Sequence, residues 1–154
     1  MLLEINSGDT AWVLISAALV FVMTPGLAFF YGGMVRAKGA LNMMMMSFIA
    51  IGTIGVLWIL VGFSMAFGED IGGGLLGNPF QFFGLNNLLG ENATFGTLPA
   101  LAFVGFQAAF AIIATALVSG AIADRASFGG WTLFTICWGL LVYFPAAHWV
   151  FDFA

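Results

Sequence analysis

The sequence predicts an all-α membrane protein built as a polytopic bundle of transmembrane helices. Of its 154 residues, 62% are hydrophobic and only 6% are charged, whereas about a quarter of the residues in soluble domains are charged. A helix needs roughly 20 apolar residues to cross a hydrocarbon core of about 30 Å. Four runs of that length predict four spans, at about residues 10–32, 41–67, 99–123 and 131–150, with a long external loop at 68–98.

The first predicted span, residues 10–32, follows a polar and acidic segment in which Asn6 and Asp9 are candidate N-caps. Pro25 lies near the end of the span, and because proline cannot donate a backbone hydrogen bond, we expect the helix to break there. The preceding segment lacks the basic residues of a signal peptide. We therefore expect no cleaved leader, with the first span acting as its own insertion signal.

The second predicted span, residues 41–67, is longer than a straight crossing requires, so we expect it to be tilted. It starts with four methionines at 43–46. Thioether sulfurs bind soft metals, but four consecutive side chains on a helix point around its whole circumference. The methionines are therefore expected to pack against other helices. Since the single cysteine, Cys137, also has no partner, neither a metal site nor a cofactor is predicted.

The predicted loop at 68–98 is polar and rich in glycine, and we expect it to contain at most one short helix. Its glycine triplet at 72–74 lacks the preceding strand and the following Lys-Ser/Thr of a phosphate-binding loop, so a flexible turn is predicted. The sequence Asn92-Ala93-Thr94 matches the N-glycosylation pattern. That match would matter only in a eukaryotic secretory pathway.

The third predicted span, residues 99–123, contains no charged residue. Phe106 and Phe110 lie one helical turn apart and so share a face, with Gln107 beside them as the only amide of the span. Aromatic rings attract small cations through their quadrupole, which makes this face the candidate substrate-binding site. Two phenylalanines at this spacing are also typical of lipid-facing or core packing, and the spacing alone leaves both interpretations open.

The fourth predicted span, residues 131–150, contains Pro145, which is expected to bend its end. His148 and Trp149 follow near the end of the span, where amphipathic side chains commonly lie at the membrane interface. We expect His148 to be an ordinary interfacial histidine.

The basic residues of the chain all fall in two loops on one side of this arrangement, since they are Arg36, Lys38 and Arg125. Cytoplasmic loops carry the excess of basic residues, so the amino terminus and the loop at 68–98 are predicted to be outside. Three basic residues and a net charge of −4 are too little positive charge to bind nucleic acid. An enzyme is not expected, because no nucleophile, base and orienting residue fall together.

Five segments resemble, in order, successive landmarks of the ammonium transporter family (Amt/Mep/Rh). They are MTPGLAFFYGG at 23–33, SMAFGE at 64–69, FQAAFA at 106–111, GAIADR at 120–125 and PAAHW at 145–149. The resemblance covers essentially the whole chain and implies an eleven-helix transporter with two inverted five-helix halves. Residues 1–154 would be the N-terminal part of that domain, a fragment that lacks the histidines of the central pore.

The same resemblance implies the biological setting. The protein would form a homotrimer in the plasma membrane, which is the inner membrane of a bacterium, and take up ammonium or ammonia as a nitrogen source. A PII-type regulator would bind at the cytoplasmic face.

The resemblance also implies roles for individual residues. Phe106 and Phe110 resemble the outer pore aromatics, with Phe110 matching the upper member of a stacked phenylalanine gate. Phe151 falls where the family usually has the tryptophan of an external recruitment site, and the neighbouring Trp149 could substitute for it. Asp152 resembles the structural aspartate that opens the fifth helix, although the glycine-rich loop expected before it is absent. Asp152 is therefore either that aspartate after a deletion or a coincidence.

Phenylalanine faces can recruit ammonium but cannot carry it through an apolar pore. A desolvated cation–π contact is worth ~2 kcal/mol, whereas removing water from a monovalent ion costs on the order of tens of kcal/mol in the Born limit. The predicted function is therefore ammonium transport, with recruitment at an external aromatic site and passage as neutral ammonia. Two alternatives stay open: an ammonium-sensing receptor module and a structural four-helix membrane protein, which would tolerate loss of both phenylalanines.

Overall fold

The computed structural model describes residues 5–90 and 92–151. Within these residues, four helices have the length and hydropathy needed to cross a membrane. We refer to them as spans 1 to 4: Ser7–Met34, Ala37–Phe67, Ala100–Ile122 and Phe128–Phe151. The predicted all-α transmembrane bundle with four spans is confirmed.

Span 1 is one α-helix, and each of the other spans combines α-helix with another helical geometry. Span 1 is α1 (Ser7–Met34). Span 2 consists of α2 (Ala37–Leu57), a π-helical turn (Trp58–Gly62) and α3 (Phe63–Phe67). Span 3 consists of α4 (Ala100–Val118) and a 3₁₀ turn (Ser119–Ile122). Span 4 consists of α5 (Phe128–Trp138), a π-helical turn (Gly139–Tyr143) and α6 (Phe144–Phe151).

Helix α1 begins at the predicted cap and continues past the predicted break. The Asn6 side chain accepts hydrogen bonds from the backbone N–H groups of Gly8 and Asp9, at 2.8 and 3.1 Å. The expectation of a break at Pro25 is wrong, because the helix runs through this residue to Met34. A proline removes one backbone hydrogen bond, and packing against neighbouring helices offsets that loss.

The buried face of α1 shows how close this packing is. Thr24, Ala28 and Gly32 are spaced four residues apart and are all buried, so they form one stripe along the helix. A Cβ atom on Gly32 would lie 2.7 Å from Cγ of Met44 on α2. Gly32 therefore lets α1 and α2 approach closely at this position, as small residues commonly do between membrane helices.

Spans 2 and 4 pack together where their π-helical turns occur. A Cβ atom on Gly62 would lie 2.7 Å from Cζ of Phe144, whose side chain is fully buried. The second π-helical turn ends at Tyr143, two residues before Pro145. A proline in this position cannot donate to the carbonyl one turn earlier, which is one reason for a helix to leave α geometry.

Two buried indole groups fix span 2 against the other spans. Trp58 Nε1 donates to the carbonyl oxygen of Val104 at 3.2 Å, and Trp131 Nε1 donates to that of Met46 at 2.7 Å. Met43 and Met46 are buried against Trp131. The packing role predicted from the methionine run is confirmed for these two side chains.

The segment between spans 2 and 3 contains two short hairpins that the sequence did not predict. In the first, β1 (Asp70–Ile71) pairs with β2 (Leu76–Gly77), and in the second, β3 (Thr94–Phe95) pairs with β4 (Leu98–Pro99). A 3₁₀ turn (Phe83–Leu85) lies between them. The glycine triplet at 72–74 forms the turn of the first hairpin with φ values of +80°, +74° and +89°, which glycine adopts without steric cost.

Candidate functional site

The Phe106 and Phe110 rings form an edge-to-face pair on α4. Their centroids are 5.0 Å apart and their planes make an angle of 85°, which is the arrangement that aromatic quadrupoles favour. Phe106 is half-buried and Phe110 is 37% exposed. The two rings therefore share one face of the helix, as the spacing predicts, and that face is partly exposed among the described residues.

The edge-to-face arrangement leaves ring surface available to a ligand. One ring receives the edge of the other on a single face, so its second face and both faces of the partner ring are not covered within the pair. These faces carry the negative end of the quadrupole, which attracts cations. Gln107 is half-buried next to the pair and is the only amide side chain of span 3.

An apolar groove of about 490 Å³ runs along the other side of α4, facing α2. Its α4 wall includes Gly105, Ala108 and Ile112. A helix turns by about 100° per residue, which places these residues roughly opposite the Phe106–Phe110 face. The two phenylalanines therefore point away from α2. Packing within spans 2 and 3 does not account for their positions.

Span 4 carries the other predicted recruitment residues. The Trp149 side chain is 60% exposed, and its Nε1 donates to the carbonyl oxygen of Leu75 at 2.8 Å. Phe151 is 37% exposed. Among the described residues, no ring contact joins either of them to the Phe106–Phe110 pair. Asp152 lies outside the described residues.

His148 is at the end of span 4, but it is not an exposed interfacial histidine. The residue is only 4% exposed. Its Nδ1 lies 3.1 Å from the carbonyl oxygen of Ala66, and its Nε2 lies 3.4 Å from Oδ1 of Asp70. A carbonyl oxygen only accepts hydrogen bonds, so Nδ1 is the donor to Ala66. The expectation failed because the first hairpin covers the adjoining ends of spans 2 and 4.

An aromatic cluster supports the start of α4 next to the candidate site. The Phe103 ring, one turn before Phe106, lies 5.0 Å from the Phe67 ring and 5.1 Å from the Phe95 ring, measured between centroids. Phe63 stacks on Phe67 at 5.1 Å. The cluster thus joins span 2, the second hairpin and span 3. Sequence reasoning missed it because these rings come from segments with no shared local pattern.

The sequence is similar to known proteins over nearly its whole length. A family model described as the Ammonium Transporter Family matches residues 11–154. An ammonium transporter of Mycobacterium tuberculosis (strain ATCC 25618 / H37Rv) is 56% identical over 163 aligned residues, which cover 96% of this chain and 34% of that protein. The chain thus spans about a third of the length of the curated relatives it matches.

Solved structures give the same picture of the fold. The crystal structure of Saccharomyces cerevisiae Mep2 superimposes with a TM-score of 0.85 at 31% identity, covering 97% of this chain and 33% of that one. A structure described as a sensor Amt protein has a TM-score of 0.82 at 27% identity, covering 93% of this chain and 34% of that one.

Proposed function

The chain belongs to the ammonium transporter family, and we propose that the protein conducts ammonium or ammonia across a membrane after recruiting the ion at aromatic side chains. The observation that carries this proposal is the Phe106–Phe110 pair, an edge-to-face pair on a partly exposed face of an uncharged span. The relatives that the chain matches are transporters. Transport by this protein is a proposal, since the chain covers a third of their length.

The pair has the chemistry of a recruitment site for a small cation. A desolvated cation on a phenylalanine face gains ~2 kcal/mol. Span 3 continues from Phe110 to Ile122 with no charged side chain, so a charged ion moving past this face would meet a desolvation cost far above that gain. We therefore infer that the ion transfers its proton to water at this face (NH4+ + H2O → NH3 + H3O+), that the proton stays on that side, and that neutral ammonia passes the apolar part of the span.

Trp149, Phe151 and Gln107 complete the proposed binding region. The indole N–H of Trp149 is occupied by the Leu75 carbonyl, which fixes the ring position while much of its surface stays exposed. Exposed rings of Trp149 and Phe151 suit a first, outer contact with the cation. Gln107 can accept a hydrogen bond from the ion through its amide oxygen. We assign no binding role to Asp152 and propose it as a structural residue near the site.

The proposed setting is the bacterial inner membrane, with the amino terminus outside. Support comes from the basic residues, which all lie in loops at one end of the spans. Arg36 and Lys38 lie between spans 1 and 2, and Arg125 lies between spans 3 and 4. Basic loops stay in the cytoplasm. A homotrimer and a PII-type regulator at the cytoplasmic face are part of the proposal by family resemblance.

Uptake by a chimera tests the proposal. Residues 1–154 would replace the matching segment of the Mycobacterium tuberculosis relative, because that protein is 56% identical to this chain. The chimera should restore uptake of labelled methylammonium to a host without its own ammonium uptake, and added ammonium should compete. A chimera that reaches the membrane as folded protein but gives no uptake above the empty host would contradict the proposal.

An ammonium-sensing role is the second candidate, since the fold also superimposes well on the sensor Amt protein. A sensor needs to bind ammonium but does not need to conduct it. The two candidates separate if binding is measured on purified chimera and uptake is measured in the same host. Saturable binding without uptake would favour the sensor.

A further inference from the structure

His148 and the first hairpin form a contact that the proposed transport function does not use. The residue is 4% exposed, although it lies near the end of span 4. Its Nδ1 lies 3.1 Å from the carbonyl oxygen of Ala66, and its Nε2 lies 3.4 Å from Oδ1 of Asp70 on β1. Each ring nitrogen therefore faces an oxygen atom that accepts hydrogen bonds, provided that Asp70 is ionised.

This arrangement of acceptors selects one protonation state of the His148 ring. A neutral imidazole carries one N–H, and the Ala66 carbonyl oxygen requires that hydrogen at Nδ1. Nε2 would then direct a lone pair at the Asp70 carboxylate, and two acceptors repel each other. In the imidazolium both nitrogens are donors. Each contact is then a hydrogen bond, and the contact with Asp70 is also an ion pair, so the geometry fits the charged ring.

The turn of the first hairpin holds the Asp70 side chain as an acceptor. Its two carboxylate oxygens both lie 2.8 Å from the backbone nitrogen of Gly74, which donates to them. The Asp70 side chain is 41% exposed, so water also stabilises a negative charge there. The carboxylate is therefore placed beside Nε2 of His148 by the hairpin itself.

Among the described residues, Asp70 is the acid that contacts the imidazole. Helix α3 and strand β2 pack against α6, and neither contains a titratable side chain. Tyr143 lies in the π-helical turn before α6, and a tyrosine is uncharged at neutral pH. Glu69 adjoins Asp70 but is exposed. The charge of this contact is therefore set by His148 and Asp70.

We propose that the first hairpin is a proton-sensitive cover over the adjoining ends of spans 2 and 4. The hairpin is held in place while His148 is an imidazolium ion paired with Asp70, and it loosens when the ring is neutral. A histidine changes its charge between about pH 5 and 8. Because the folded contact favours the protonated ring, its contribution to stability is complete at low pH and is lost as the pH rises.

The cover also acts on a residue of the proposed binding region, and this consequence rests on the proposed function. Trp149 Nε1 donates to the carbonyl oxygen of Leu75, next to the glycine turn of the hairpin. Loosening of the hairpin therefore frees the indole ring that we assign to the first contact with the cation. The cation meets a fixed ring at acidic pH and a mobile ring at alkaline pH.

Nuclear magnetic resonance of the full chain, purified in detergent, tests the protonation state. His148 is the only histidine of the chain, so its imidazole nitrogen signals need no assignment. At about pH 5.5 both ring nitrogens should carry hydrogen, and at about pH 8 only Nδ1 should. A neutral ring at the lower pH would overturn the proposal, and so would a neutral ring with its hydrogen on Nε2 at the higher pH.

Hydrogen exchange at residues 70–77 tests whether this proton holds the hairpin. Protection factors, which correct for the intrinsic effect of pH on exchange, should fall about tenfold between about pH 5.5 and 8, or about 1.4 kcal/mol. A charged hydrogen bond is commonly worth more, but Asp70 is partly exposed. Asp70→Asn should stay protected at both pH values, because its amide donates to a neutral Nε2. Glu69→Gln is the matched control and should behave as the unsubstituted chain.

A second variant and a second hairpin complete the test. His148→Asn has no titrating ring, so its protection at residues 70–77 should not change with pH. Equal protection of the unsubstituted chain at both pH values would overturn the proposal. So would a tenfold fall that persists in Asp70→Asn or His148→Asn, or an equal fall in the second hairpin at 94–99. Neither measurement depends on transport, so a failure here leaves the proposed function intact, and a chimera without uptake leaves the cover intact.

Discussion

The Nδ1 atom of His148, near the end of span 4, lies 3.1 Å from the carbonyl oxygen of Ala66, near the end of span 2. The imidazole also contacts Asp70 of the first hairpin through Nε2, at 3.4 Å. The next residue, Trp149, donates to Leu75 in the same hairpin. Two consecutive side chains of span 4 thus fix the hairpin over the ends of two spans.

Loss of the His148 imidazole should loosen this hairpin. His148→Ala leaves the Ala66 carbonyl without its donor, which costs about 1–3 kcal/mol for a buried group. Hydrogen exchange at residues 70–77 should become faster. His148→Asn should preserve more protection, because its amide nitrogen can take the position of Nδ1. Unchanged exchange in His148→Ala would show that the hairpin does not depend on this contact.

Spans 2 and 4 should not tolerate a methyl group between them. Gly62→Ala would place Cβ 2.7 Å from Cζ of the buried Phe144, and overpacking of this kind costs about 1–3 kcal/mol. The free energy of unfolding, measured by SDS titration, should fall by that amount. Gly52→Ala is the control on the same span, since its Cβ would have no atom within 4 Å. Equal stability of the two variants would refute the close contact.

The orientation of the spans can be measured with single cysteines in a Cys137→Ala background. A cysteine at Gly73, in the first hairpin, should react with an impermeant thiol reagent in intact cells. A cysteine at Lys38 should react only after the cells are opened, because basic loops are expected inside. Labelling of position 38 and protection of position 73 in intact cells would show that the topology is the opposite of the predicted one.

Much of the fold follows from local sequence signals. Long uncharged runs predict the four spans, the polar Asn6 before an apolar run predicts the cap, and three consecutive glycines predict a turn. The predicted break at Pro25 failed because the effect of a proline depends on its neighbours. The face of α1 that carries Thr24, Ala28 and Gly32 is buried on both sides of Pro25, and packing against neighbours allows a membrane helix to continue through a proline.

The site was only partly predictable for a similar reason. Phe106 and Phe110 are four residues apart, so helical spacing alone places their rings together. The partners of His148 are 82 and 78 residues away in sequence, and no local pattern links them. The hairpins have strands of two residues, which are too short to show alternation of polar and apolar residues.

The Phe106–Phe110 pair can act in two ways that substitutions distinguish. If both rings recruit the cation, either Phe106→Ala or Phe110→Ala should raise the half-saturating concentration by roughly thirtyfold, which corresponds to ~2 kcal/mol. If Phe110 instead mainly occludes the pore, Phe110→Ala should change selectivity or leak while half-saturation stays nearly the same. If the two rings only pack against other side chains, either substitution should lower the yield of folded protein, because truncating a buried phenylalanine to alanine costs about 3–5 kcal/mol.

The central claim is tested most directly by methylammonium uptake in the chimera, normalised to folded protein, for Phe106→Ala, Phe110→Ala and the control Phe21→Ala. Phe21 is an exposed phenylalanine of α1, 43% exposed against 37% for Phe110. We expect a changed half-saturating concentration or changed selectivity in Phe106→Ala and Phe110→Ala. The control Phe21→Ala should take up methylammonium as the unsubstituted chimera does. Unchanged uptake and selectivity in Phe106→Ala and Phe110→Ala at normal protein yield would contradict the assignment of this face as the ammonium site.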